Sequence, residues 1–76
     1  MKKPTSDIET YVKYLNHRFI GQSLESAMAY INDSMPSFVT EIEILGKGDL
    51  VTYDWLFGRI RIYVDSTMSI RKFTCG

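Results

Sequence analysis

The chain has little of what narrows a function quickly. It has one cysteine, Cys75, which excludes an intrachain disulfide and any metal site built on cysteine pairs. Its single histidine, His17, lies between Asn16 and Arg18 with no partner at metal-ligand spacing, so a surface role is expected. No apolar run approaches the roughly 20 residues of a membrane span. The opening MKKPTSDIE has a basic pair but no apolar stretch behind it, so it is not a signal peptide. A cytoplasmic protein is expected unless a leader has been removed. No charge dominates: nine basic side chains meet nine acidic ones, which leaves no electrostatic footprint for nucleic acid. There is no glycine-rich phosphate loop either, because Gly46 and Gly48 are followed by Asp49, which repels phosphate. Asp7, Asp49, Asp54 and Asp65 are too scattered to assemble a metal or acid–base site, and no nucleophile–base pair can be nominated. These absences point away from an enzyme and from any cofactor.

What remains is a globular composition, 45% hydrophobic and 24% charged over 76 residues. That length makes one domain, 1–76, near the lower limit at which a core holds a fold without staples. Charge is unevenly placed. Residues 1–54 carry five basic and eight acidic side chains, whereas 55–76 carry four basic ones against Asp65 alone. This suits either an acidic partner or an ordinary surface with poorly mixed signs, and it is too little for a duplex.

After a polar start, residues 1–6, expected to be flexible, Asp7 is placed to cap a helix. Ile8, Tyr11, Val12, Leu15 and Phe19 recur at three- and four-residue spacing and share one face. Gly21 breaks the pattern. Ser23 caps a second helix, with Glu25 in its first turn and Leu24, Ala27, Met28 and Ile31 as its apolar stripe; Asn32, Asp33, Ser34 and Pro36 end it. From Phe38 to Leu45 the period becomes two. Phe38, Thr40, Ile42 and Ile44 face one way, and Val39, Glu41 and Glu43 the other. A second strand runs from Arg59 to Asp65, with Ile60, Ile62 and Val64 alternating against Arg59, Arg61 and Tyr63. Ser66–Ser69 reads as a turn, and Ile70–Thr74 as a last strand closing a hairpin.

Residues 46–58, between the first two strands, are too long for a hairpin loop and have no helical period. A connection of roughly a dozen residues permits parallel pairing of its flanking strands. An extra strand over 50–57 is the other reading, although Asp54 beside Trp55 spoils its alternation.

Three blocks resemble the potato inhibitor I family of serine-protease inhibitors. FIGQSLESAMAYINDSMP, residues 19–36, is similar to the family's opening, helix and following proline. GDLVTYD, residues 48–54, resembles its Gly-x-x-Val-Thr-x-Glu/Asp reactive-site loop. RIRIYVD, residues 59–65, resembles the Arg-Val-Arg-apolar-Phe-Val-Asp run after that loop. The ending IRKFTCG also resembles the bacterial I78 peptidase-inhibitor family, although the second cysteine usual there is missing. Other departures are the longer first helix, residues 7–18, a first strand about two residues longer, and Leu56 and Gly58 in place of an arginine and an acidic residue. The resemblance implies an α+β fold. One helix packs on a small mixed sheet with a long exposed reactive-site loop, and the N-terminal helix is an addition.

The resemblance further implies a non-enzymatic inhibitor with a chymotrypsin-like or subtilisin-like serine protease as partner. Its loop residues would be Leu50, Val51, Thr52, Tyr53, Asp54 and Trp55, with Tyr53 at P1 and the Tyr53–Asp54 bond at risk. Arg59 and Arg61 stand two apart on a strand whose Ile60, Ile62 and Val64 must face the core, so both guanidiniums emerge on the opposite face. A loop folded back over that face brings Asp54 to one arginine and Thr52 to the other. Family members use the matching arginines in this way, often with a C-terminal glycine nearby, a role that falls to Gly76. Val51 turns inward or packs at the loop base, Trp55 meets the protease or covers the underside of the loop, and Phe57 is expected in the core. The rival reading is an interaction module that uses the same loop and the N-terminal helix for a non-protease partner or for self-association.

Overall fold

The computed structural model describes residues 7–76, which form α1 (Asp7–Phe19), α2 (Leu24–Asp33), β1 (Glu41–Leu45), β2 (Arg59–Val64) and β3 (Ile70–Cys75). The expected flexible start lies outside the described residues. In α1 the apolar face is the expected one, with Ile8, Val12, Leu15 and Phe19 all buried. Asp7 is already helical and is not the cap; with Glu9 it supplies the acidic first turn that favours the helix dipole. Ser23 does cap α2, accepting from the Ser26 N–H at 3.2 Å, and Ala27 and Ile31 are buried below it. The two helices lie against a three-stranded sheet of order β1-β2-β3, so the α+β architecture is as expected.

The β1–β2 pair is parallel, with Glu41 opposite Arg59 and Glu43 opposite Arg61. A parallel pair needs a long return connection, and residues 46–58 supply it without a helix. The β2–β3 pair is the antiparallel hairpin. Its turn is closed by Asp65, whose Oδ1 accepts from the backbone N–H groups of Thr67 (2.8 Å) and Ser69 (3.0 Å). The central strand is buried on both faces. Ile60, Ile62 and Val64 join Leu15, Phe19, Ile31 and Phe73 in the core, each full burial contributing roughly 1.5–3 kcal/mol. Arg59 and Arg61 lie on the other face and are only 3% and 7% exposed, because the 46–58 loop covers them.

Three local expectations are corrected. The first strand begins at Glu41, not Phe38. Val39 N–H donates to the Pro36 carbonyl in a turn, and the N–H groups of Thr40 and Glu41 share the carbonyl of Gly58, so no ladder forms before Arg59. Ile44 does not share the burial of the core-facing Ile42: it is exposed, and the buried residue at that end is Leu45. Phe57 is not a core residue but is 70% exposed.

The segment between the helices pairs with the start of β3. Gly21 N–H donates to Ile70 O at 2.8 Å, and Ile70 N–H to Gln22 O at 2.8 Å. Further along, Asn16 of α1 closes the same edge: its Oδ1 accepts from Phe73 N–H (2.8 Å) and its Nδ2 donates to Phe73 O (3.0 Å). Nothing in the helical period singled out Asn16, since its amide acts through the partner's backbone.

Gly58 closes the loop onto β2. Its φ is +90°, and a Cβ there would run into Thr40 Oγ1 and stand 3.1 Å from the Phe38 carbonyl. Gly58→Ala combines left-handed strain with this clash and is expected to cost about 1–3 kcal/mol, read as a lowered midpoint in urea unfolding.

Candidate functional site

The loop is pinned at both ends by local turns. Asp49 bridges the first: its Oδ2 accepts from Gly46 N–H at 2.7 Å and its own N–H donates to Gly46 O at 3.2 Å. At the other end Arg59 N–H donates to Leu56 O at 3.3 Å. Between these turns residues 50–56 form no strand, which removes the extra-strand reading.

Two arginines hold this middle segment through alternate residues. Arg61 Nη2 donates to Thr52 O at 3.0 Å and to Thr52 Oγ1 at 2.9 Å. Its Nε donates to Glu43 Oε1 at 2.7 Å, the residue opposite it in β1. Arg59 Nη2 donates to Asp54 O at 2.8 Å, and its Nη1 faces Asp54 Oδ2 at 3.5 Å. From the same guanidinium, Nε and Nη2 also reach Gly76 O at 3.1 and 2.9 Å. Arg61 Nη2 lies 3.9 Å from Asp54 Oδ1, so the Asp54 carboxylate sits between both cations.

Charge-assisted bonds of this kind contribute roughly 1.5–3 kcal/mol each, and a planar guanidinium holds two acceptors in fixed directions. Thr52 and Asp54 are therefore fastened from below. Tyr53 between them touches nothing: it is 102% exposed and stands clear of the surface. Leu50 is likewise exposed, and Val51 is exposed at the margin rather than turned inward. Trp55 is 69% exposed, with one part of its ring over Gly76.

The structure thus brings together Thr52, Asp54, Arg59, Arg61 and Gly76, and leaves Leu50 and Tyr53 outside the cluster. Sequence reasoning missed Glu43 as the carboxylate that orients Arg61. Its signal was available, because in parallel register an acidic residue two places into β1 falls beside the second arginine of R-x-R. Among the described residues no group of three or more His, Cys, Asp and Glu could hold a metal, and no helix is long and apolar enough to cross a membrane.

The Asp54 carboxyl is held below the usual carboxylate range, first by the Thr52 hydroxyl and then, against opposing desolvation, by the charge of Arg59. Asp65 is lowered in the same direction, chiefly by the Thr67 hydroxyl and the backbone N–H groups of the turn. A carboxyl with a lowered folded-state pKa stabilises above its unfolded value, and the contribution disappears as pH falls through the folded value. The contribution of these two carboxyls to thermal stability is therefore expected to be constant above about pH 5 and to fall away below roughly pH 4. Asp65→Asn should flatten that acid limb in a calorimetric pH series.

The loop is thus tied at alternate residues, with the Tyr53 side chain standing clear between them. The potato inhibitor I family model matches residues 19–73, which include both helix α2 and the whole loop. The chain belongs to the potato inhibitor I family. Among solved structures, this family member is similar to the elastase inhibitor AFUEI, with a TM-score of 0.69 and 26% identity, covering 90% of this chain and 93% of that one. No curated protein sequence matches it. The family and this neighbour are protease inhibitors, which are not themselves enzymes.

Proposed function

We propose that this potato inhibitor I family member inhibits a serine protease by offering Tyr53 as P1 on a substrate-like loop, within one inhibitor domain. The observation that carries the reading is the contrast between Tyr53, fully exposed, and its two neighbours, both fastened by buried arginines. A substrate peptide loses backbone freedom when it enters a cleft; a loop already extended and tied loses little. Thr52 takes P2, Asp54 takes P1′ and Trp55 takes P2′. The Tyr53 side chain fills an S1 pocket, and its carbonyl enters the protease's oxyanion hole.

A phenol ring suits the apolar slot of chymotrypsin-like and subtilisin-like enzymes. It is too large for the small S1 pocket of a chymotrypsin-fold elastase, which is a poorer target for this chain. Trypsin is disfavoured because its S1 carboxylate would be buried without a partner.

The deciding experiment titrates chymotrypsin and subtilisin with the purified protein, following residual activity and the Tyr53–Asp54 bond over hours. Inhibition with the bond mostly intact is the expected result. Rapid, complete cleavage at Tyr53 without inhibition would make the loop a substrate. Indifference of both enzymes would favour a non-protease partner for the same surface.

A further inference from the structure

We infer that Trp55 is a positioning residue for the leaving side of the Tyr53–Asp54 bond, acting through Gly76 and Arg59. This rests on the reading of Tyr53 as P1. The ring of Trp55 lies so close to Gly76 that a Cβ on that glycine would stand 2.5 Å from Nε1 and 2.7 Å from Cδ1. It also faces Phe57, with ring centroids 5.9 Å apart at 59°. Gly76 is in turn locked to Arg59 in both directions. Its oxygen accepts from Nε and Nη2, and its N–H donates to Arg59 O at 3.1 Å. The same Nη2 holds Asp54 O. The dipeptide Asp54–Trp55 is thus gripped twice, at a main-chain oxygen by Arg59 and at an indole by Gly76, on parts that are themselves joined.

The consequence appears once the bond is attacked. The protease serine oxygen adds to the Tyr53 carbonyl, the C–N bond to Asp54 breaks, and an ester forms. The serine proton passes through the protease's base to the Asp54 nitrogen. In the reverse step that amine attacks the ester carbonyl, the C–N bond re-forms, and the serine oxygen leaves with its proton restored. Water competes for the same ester, and the outcome depends on how far the new amino terminus wanders. Arg59 holds Asp54 by one main-chain oxygen and a long ion pair, and Arg61 and the Thr52 hydroxyl reach only its carboxylate; the seat of Trp55 on Gly76 restrains the residue that follows.

The test uses the equilibrium between intact and cleaved inhibitor, reached from either side with catalytic protease. A contact made only with the protease cannot move that ratio, because a catalyst leaves an equilibrium where it finds it. Trp55→Ala is expected to raise the cleaved-to-intact ratio about tenfold, the loss of one ordered large side chain. Gly76→Ala, which pushes the ring off its seat, should do the same, and the double variant should be no worse than either single one. Trp55 is also the only tryptophan. Gly76→Ala in the free protein is therefore expected to lower its fluorescence anisotropy, because the ring, already exposed on one side, loses the contact that restrains it. An unchanged ratio in Trp55→Ala, strictly additive effects, or unaltered anisotropy in Gly76→Ala would overturn the inference while leaving the inhibitor reading intact. If wild-type protein is ignored by both proteases or cut elsewhere, the assignment of Tyr53 fails first and takes this one with it.

Discussion

Tyr53→Lys is expected to move inhibition from chymotrypsin to trypsin without changing the stability of the inhibitor. The side chain makes no contact inside the protein, being fully exposed between two fastened residues, so the fold has nothing to lose. In the complex the reverse holds, since a single buried aromatic anchor dominates an interface of this type. Removing the phenol and placing an ammonium in an apolar slot should weaken chymotrypsin binding by about 3 kcal/mol or more, roughly a hundredfold in the inhibition constant. The same ammonium meets the S1 carboxylate of trypsin. The check is a pair of titrations beside a thermal melt. Equal losses against both enzymes would mean that the contact surface lies elsewhere on the loop.

The second large effect is expected from Arg61→Ala, and it differs in kind. Arg61 is itself buried; it links Glu43 below to the oxygen and hydroxyl of Thr52 above. Deleting it frees Thr52 and leaves Glu43 half-buried without its cation. Three charge-assisted bonds of roughly 1.5–3 kcal/mol each are lost, part of which returns as hydration of the freed groups. The variant should stay folded, because Ile60 and Ile62 on the opposite face still fill the core. Its loop, however, is expected to be cut at Tyr53–Asp54 at least tenfold faster, with inhibition lost as cleavage proceeds. Arg61→Lys should not rescue it, since an ammonium cannot hold Glu43 and Thr52 in fixed directions together. Mass spectrometry of the reaction separates the outcomes: weakened inhibition with an intact bond would assign Arg61 to direct contact with the protease.

The pattern of residues carried the elements that bury a regular face. Period-four spacing in 7–19 and alternation in 59–65 are imposed by burial, and burial is what the structure satisfies there. Arg59 and Arg61 were legible for the same reason. Once Ile60 and Ile62 point inward, both guanidiniums must leave by the other face, and only the loop is long enough to meet them. Where the pattern misled, a non-repeating contact decided. Phe38–Thr40 alternates well enough for a strand, but β2 has no residue before Arg59 to pair with it. Phe57 looks like core, yet the turn of Gly58 aims it outward beside Trp55. Ile44 has the parity of the core side and still remains exposed. Asn16 was illegible as a working residue because it acts on a partner far away in sequence, Phe73, and no local period records such a pairing; Glu43 becomes legible only once the parallel register sets it beside Arg61.

The amide of Asn16 has a consequence beyond docking a helix. By taking both the N–H and the carbonyl of Phe73, it occupies the hydrogen-bonding groups that β3 would otherwise offer to another chain. The backbone of residues 21–24 does the same for the beginning of that strand. One border of the sheet is therefore sealed against growth. The opposite border, β1, carries Glu41 and Glu43, and a second copy approaching in antiparallel fashion would bring carboxylates against carboxylates. A molecule that exposes Leu50, Tyr53, Trp55 and Phe57 on one loop thus guards both of its true strand edges against pairing with its own kind, one by filling the bonds and one by charge.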